Sequence, residues 1–431
     1  MFHSFFPKPR LFFGSFVAWA LFCVILWFSG VRDWGSALSI GNLIGFDYPV
    51  PLAEEADEAA RAVFTNAQKW AVNFWYYQYL IICFVAFTAF WIWYVPGRWV
   101  WWSVGGSSLI IFVTWYQVQV DVMINEWFGR FYDTIQKALT APNSIEPWEF
   151  WGHIWTFLTI VMIYMVVYVL NNFFSKHYTF RWRTAMNDYY MERWQRIRHI
   201  EGASQRVQED TMRFASIMEG LGVRFLDAIM TLLAFLPILW ALSDQVKVLP
   251  LFGEVPKGLV FVALIWALGG TALLAAVGVK LPGLEFRNQR VEAAYRKELV
   301  LGENHDDRAR PPTIAELFHN VRKNYFRLFF HYMYFDVARS SYLQFSVLVP
   351  YMALAPTIIS GVITLGVMQQ VVRAFNRVES SFQFLVYSWT TIVELISIYK
   401  RLAAFEATLQ NQKLTGIELE IDADPAGRPA Q

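Results

Sequence analysis

Several apolar runs in this chain have the length that crosses a lipid bilayer, and two of them, Leu11–Phe28 and Gly258–Val279, carry no charge. A spanning helix needs about 20 mostly apolar residues. Within the hydrocarbon core every backbone N–H and C=O must be satisfied inside the segment or the bundle, so such runs dictate helices. The same criterion gives eight candidate spans, at residues 11–28, 72–95, 99–120, 152–174, 223–243, 258–281, 340–361 and 380–400. The last two are the weakest, because Glu394 and several Ser and Gln residues interrupt them. Lys8 and Arg10 stand before the first run as a signal peptide's basic region would. That run exceeds the roughly 7–15 apolar residues of a signal, and no clean small-residue cleavage site follows it. A retained anchor helix is expected.

Composition agrees with the spans. The chain is 56% hydrophobic, 18% aromatic and 16% charged, against roughly 45–50% apolar and about 25% charged in soluble domains. These values exclude a disordered chain, a coiled coil and a collagen. A net charge of +1 gives no overall steering toward nucleic acid. The two cysteines, Cys23 and Cys83, lie in apolar runs, which excludes a disulfide framework and a cysteine-based zinc site.

Lys and Arg set the orientation. With the N-terminus in the cytoplasm, the inside segments hold 24 of them, against nine in the outside segments 29–71, 121–151, 244–257 and 362–379. Both termini are therefore expected in the cytoplasm. The first outside loop is acidic, with Asp33, Asp47, Glu54, Glu55, Asp57 and Glu58, and Trp91, Trp93, Tyr94, Trp99, Trp101 and Trp102 crowd two span ends as an interfacial belt does. Residues 176–222 and 282–339 are polar and helix-permissive, the second broken between Asn304 and Pro312. They predict long helices that leave the membrane and fold back, within one transporter-like domain over 1–410. The polar tail 411–431 is expected to be disordered and cytoplasmic.

No nucleotide or hydrolase signature is present. The sequence holds no Gly-x-x-x-x-Gly-Lys-Ser/Thr loop, no Gly-x-Gly-x-x-Gly turn, no His-Glu-x-x-His and no Gly-x-Ser-x-Gly. We expect no enzyme activity, no metal, no organic cofactor and no ATP binding by this chain. Uphill movement of a solute would then draw on an ion gradient or a separate ATPase. Ionisable residues in or beside spans mark candidate paths, because they are costly there. Asp121 and Glu126 follow the third span, Asp227 lies in the fifth with Arg224 three residues before it, and Glu394 interrupts the last. At the cytoplasmic edge Glu285 and Glu292 stand two turns apart on one helix face, with Asn288 and Gln289 between them. At 1.5 Å per residue the carboxylates are stepped by about 10 Å. The stripe suits proton passage, and equally suits a solvated face paired with Arg287, Arg290 and Arg296.

Several longer stretches resemble one family. Phe180-Arg-Trp-Arg-Thr-Ala-Met-Asn187, His199-Ile-Glu-Gly-Ala, Gln205-Arg-Val-Gln-Glu-Asp-Thr-Met-Arg-Phe and Lys280-Leu-Pro-Gly-Leu-Glu-Phe look like the SbmA/BacA family of bacterial inner-membrane peptide transporters. So do Met1-Phe-x-Ser-Phe-Phe-Pro-Lys-Pro and Asn324-Tyr-Phe-Arg-Leu-x-Phe-His-Tyr-Met-Tyr-Phe. The likeness runs to about Leu402 and is weakest at 31–68 and after 405. It implies an all-α polytopic membrane protein of about eight transmembrane helices per protomer, similar to the transmembrane domain of ABC exporters without the ATPase domain. It further implies a homodimer in the bacterial inner membrane that imports peptides with the proton gradient. Cargoes of the family include antimicrobial peptides, bleomycin-like drugs and microcins. A ladder of glutamates is implicated in proton coupling there, and Glu201, Glu209, Glu219, Glu285 and Glu292 fall in the matching motifs, with Glu394 added from its place in the last span. Asp121, Glu126 and Asp133 are expected to form an acidic vestibule for cationic cargo. Two other readings are the membrane half of an ATP-driven transporter paired with a separate ATPase, and a scaffold for envelope assembly.

Overall fold

The computed structural model describes residues 1–44, 58–198, 203–246, 248–250, 253–303 and 307–409. Ten helices of 21 residues or more dominate it: α1 (Pro9–Ser29), α2 (Glu58–Tyr94), α3 (Ser107–Thr140), α4 (Pro147–Met191), α5 (Thr211–Leu242), α6 (Gly258–Gly278), α7 (Leu281–Gly302), α8 (Pro311–Ile359), α9 (Leu365–Tyr387) and α10 (Trp389–Leu409). Two-residue strands β1 (Val248–Leu249) and β2 (Gly253–Glu254) pair antiparallel between α5 and α6. The protein is thus all-α and polytopic. Among the described residues seven helices are long and apolar enough to cross a membrane, and the bent pair Leu365–Ile392 with Glu394–Ala407 makes up to eight.

The spans expected from hydropathy fall on these helices, with three differences. The helix over 99–120 continues to Thr140, after a widened π-type stretch at Trp101–Gly106. The run 340–361 belongs to a helix of 49 residues that begins at Pro311. The run 380–400 is not one straight span. Its helix starts at Leu365, inside the stretch 362–379 expected as an outer loop, and bends by 48° near Val393. Gln369, Gln370, Arg373 and Arg377 lower the mean hydropathy of that first half and hide a helix with one apolar face. In the polar segments 176–222 and 282–339, α4 runs to Met191, α7 ends at Gly302 and α8 begins at Pro311. The tail 411–431 and the stretch 45–57, with most of the acidic residues of the first outer loop, lie outside the described residues.

The chain divides into two compact units. The first holds 1–114, 169–219 and 398–431. Trp19 Nε1 donates to the Cys83 carbonyl (3.1 Å), Tyr79 Oη to the Cys23 carbonyl (2.8 Å) and Trp75 Nε1 to the Val31 carbonyl (2.8 Å), so aromatic side chains tie α1 to α2. Phe5, Phe6 and Phe214 surround Trp182 with ring centroids 5.2–5.7 Å apart. The second unit holds 115–168 and 220–397. Its core joins Phe235 and Leu239 of α5, Leu259 and Ala263 of α6, Leu354 of α8, and Val371, Ala374, Phe375 and Val378 of α9. Acyl chains are as apolar as leucine, so within a bilayer such a cluster is held by close packing and interhelical hydrogen bonds rather than by escape from water.

Candidate functional site

Helix α9 is two-sided. Val371, Ala374, Phe375 and Val378 are fully buried in the core of the second unit, while Gln369, Gln370, Arg373, Asn376, Arg377 and Ser380 recur at helical spacing on another side. A polar stripe of this kind is expensive against lipid and is found facing a bundle interior or an aqueous cavity. The stripe runs along α3, antiparallel to it. At its start Gln136 Oε1 accepts from the Leu365 N–H (2.7 Å) and Asp133 Oδ1 from the Gly366 N–H (2.9 Å). These side chains satisfy amides that a helix N-terminus leaves open, and the carboxylate suits the positive end of the dipole. Gly366 sits against the Gly129 carbonyl, where a methyl group would overlap it. Further along, the Arg373 guanidinium lies 4.9 Å from the Phe128 ring. Arg377 Nη2 donates to Asp121 Oδ1 at 2.6 Å, and Arg373 Nη2 approaches the same oxygen at 3.5 Å. Asp227 of α5 stands in the field of both Arg377 and Asp121, and no ion pair with Arg224 occurs among the described residues.

Of the three carboxylates expected to form an acidic vestibule, each has a partner. Asp121 lies mid-helix rather than beyond a span and is shared by two arginines. Asp133 caps α9. Glu126 pairs with Arg130 one turn on, at 3.6 Å. The cluster is therefore a mixed set of carboxylates and guanidiniums rather than a purely acidic one.

The glutamates expected to couple protons fall in both units, Glu209 and Glu219 in the first and Glu285, Glu292 and Glu394 in the second. Glu201 lies outside the described residues. Glu209 sits in a π-type stretch (Arg206–Asp210) that opens α5, accepting from Gln205 Nε2 (3.2 Å) and pairing with Arg213 (2.9 Å). Glu219 lies in the field of the buried Tyr178. Glu394 is half-buried on α10. On α7, Glu285 and Glu292 are half-buried, and among the described residues neither pairs with Arg287, Arg290 or Arg296. Between them Asn288 is 5% exposed, and among the described residues its Oδ1 has no hydrogen-bond partner. Tyr332 of α8 stands in the field of both Glu285 and Asp336, so the Glu285 end of the stripe lies beside α8.

Sequence reasoning missed three sets of residues. Arg373 and Arg377 were hidden in a supposed loop, although their i, i+4 spacing beside an alternating apolar pattern was a usable signal. Asp210 is 3% exposed and takes both Nε (3.0 Å) and Nη2 (2.7 Å) of Arg401, a bidentate pair formed across 191 residues of sequence. Glu379 is buried on the core side of α9, and no local pattern foretold its partners on α8.

A family model for the SbmA/BacA-like family matches residues 96–410. The chain belongs to the SbmA/BacA-like family. Curated proteins give more distant likenesses. An Escherichia coli inner membrane ABC transporter ATP-binding protein, YddA, is 24% identical over 67% of this chain and 54% of its own length. ABC transporter D family member 2, chloroplastic, of Arabidopsis thaliana is 26% identical over 57% of this chain and 35% of its own. An uncharacterized ABC transporter ATP-binding protein of Haemophilus influenzae is 24% identical over 64% and 49%. The chain thus spans about half the length or less of these relatives. Among the described residues no group of three His, Cys, Asp or Glu side chains is placed to hold a metal ion.

Proposed function

We propose that this SbmA/BacA-like protein imports peptides across the bacterial cytoplasmic membrane, driven by the proton gradient, as a homodimer with both termini in the cytoplasm. The observation that carries this reading is the polar stripe of α9, with Arg373 and Arg377 meeting Asp121 about 12–18 Å along the helix from Leu365 at 1.5 Å per residue. Charge at that depth is retained where a polar solute passes. A peptide offers what such a lining recognises: amide groups along the backbone, an ammonium for Asp121 and Asp227, and a carboxylate for the guanidiniums. Alternating access supplies the mechanism. Protonating a carboxylate removes the cost of holding its charge away from water, so the proton favours one arrangement of the helices over another by differential stability.

A second reading is the membrane part of an ATP-driven transporter served by a separate ATPase. The names of the relatives, and the half of their length that this chain leaves unmatched, favour it. One experiment separates the two. Proteoliposomes holding only this protein receive a fluorescent proline-rich peptide under an acid-outside gradient, without nucleotide. Uptake that collapses with a protonophore supports the proton-driven importer. Uptake that appears only with ATP and a supplied ATPase sinks it.

A further inference from the structure

One buried carboxyl in the second unit has no role in the site described above. Glu379 is 5% exposed and lies on the core side of α9, between the fully buried Phe375 and the 4%-exposed Gln383. Its Oε1 accepts from Ser346 Oγ of α8 at 2.5 Å and from Gln383 Nε2 at 2.8 Å. Ser346 Oγ is itself held by Trp266 Nε1 of α6 at 2.8 Å. Gln383 Nε2 also reaches Tyr342 Oη at 3.1 Å, and that hydroxyl points to the Trp266 carbonyl at 3.4 Å. Every partner is neutral, and among the described residues no Lys, Arg or His pairs with Glu379. The ionisable groups facing it are Tyr342 from α8 and Tyr387 from α9, with Arg339 of α8 stacked 5.0 Å from the Tyr387 ring. Helix α6 has no ionisable residue between Gly258 and Gly278. Glu379 is about 21 Å along α9 from Leu365, in a helix that is long and apolar enough to span only together with its bent second half.

An ionised carboxylate at that depth with only neutral partners is far costlier than one paired with a cation. A neutral hydrogen-bonded shell instead supports the carboxyl in either state. Oε1 is already an acceptor for two donors, the Tyr342 hydroxyl stands beside the carboxyl as well, and a proton on Oε2 displaces neither donor from Oε1. The network also joins three helices, so a change of charge at one atom bears on α6, α8 and α9 together. We propose that Glu379 is a proton-carrying carboxyl of the transport cycle, binding a proton at Oε2 within the membrane and giving it up in a second state while Ser346 and Gln383 hold Oε1. This rests on the proton-driven reading of the preceding section.

The test is Glu379→Gln, whose amide oxygen keeps both donors, in reconstituted full-length protein. Wild type is measured first for peptide accumulation against an imposed pH step and for peptide-driven acidification of the lumen. Each coupled proton multiplies accumulation by about tenfold per pH unit. Glu379→Gln is expected to fold and to bind the labelled proline-rich peptide, while accumulation falls about tenfold per unit of gradient. Infrared difference spectra between acid and neutral pH are expected to lose a carboxylic carbonyl band in the variant. Ser346→Ala, which removes one donor and leaves the carboxyl, is expected to retain that band at a shifted frequency. Accumulation and band both unchanged in Glu379→Gln overturn the assignment, as does either alone. A wild type indifferent to the gradient overturns the proton-driven reading itself, and this is seen before any variant is compared.

Discussion

Replacing Asp121 by Ala removes the carboxylate that Arg373 and Arg377 share and leaves two guanidiniums facing one another inside a span. The pair side chains are 26–38% exposed. An exposed ion pair contributes about 0–1 kcal/mol, and deleting one member of a fully buried pair costs about 3–5 kcal/mol. The geometry lies between, so Asp121→Ala is expected to cost about 2–3 kcal/mol. Arg377→Ala is expected to cost less, about 1 kcal/mol, because Arg373 stays within 3.5 Å of Asp121 and takes over as its partner. The double variant then costs less than the sum of the two, since Asp121 is the main reason that Arg377 is tolerated there. Unfolding in detergent, followed by tryptophan fluorescence for all four proteins, gives the coupling energy, with Asp121→Asn as the shape-conserving control. Additivity within about 0.3 kcal/mol, or a larger loss from Arg377→Ala than from Asp121→Ala, would refute the shared-carboxylate account.

Three further outcomes follow from particular contacts. Asp210→Ala leaves Arg401 without its bidentate partner and is expected to destabilise the first unit by about 2 kcal/mol, between a surface and a fully buried pair because the Arg401 side chain is 43% exposed; a loss below about 1 kcal/mol, in thermal unfolding, would count against it. Gly270→Ala places a methyl group on the Tyr342 ring, and is expected to cost about 1–3 kcal/mol, recovered in part by Tyr342→Leu; an unchanged melting temperature would show that the ring has room to move. Glu285→Gln and Glu292→Gln are expected to insert normally and lose gradient-driven uptake, whereas parental rates in both would return the α7 stripe to a plain solvated face.

Much of the architecture was legible because the bilayer leaves few options. The charge-free run at 258–279 could only be a helix, and α6 spans Gly258–Gly278. A break was expected between Asn304 and Pro312, and α7 ends at Gly302 while α8 begins at Pro311. Hydropathy failed at α9, because averaging over a window rewards helices that are apolar all round. A helix with one greasy face and one charged face averages to a loop, and that is the helix on which the candidate site stands.

The sequence by itself determined that the chain enters a membrane as helices, roughly where they begin and end, and which family's motifs it carries. Those are local matters: the length of an apolar run, a breaker residue, a string of identities. Only the tertiary structure decided which charges meet. Asp121 and Arg377 are 256 positions apart and Asp210 and Arg401 are 191 apart. Glu379 differs from the glutamates around it in one respect, that Ser346, Gln383 and Trp266 close over it with no cation. A carboxylate's chemistry depends on the few ångströms around it, and those neighbours arrive by folding rather than by adjacency in the chain.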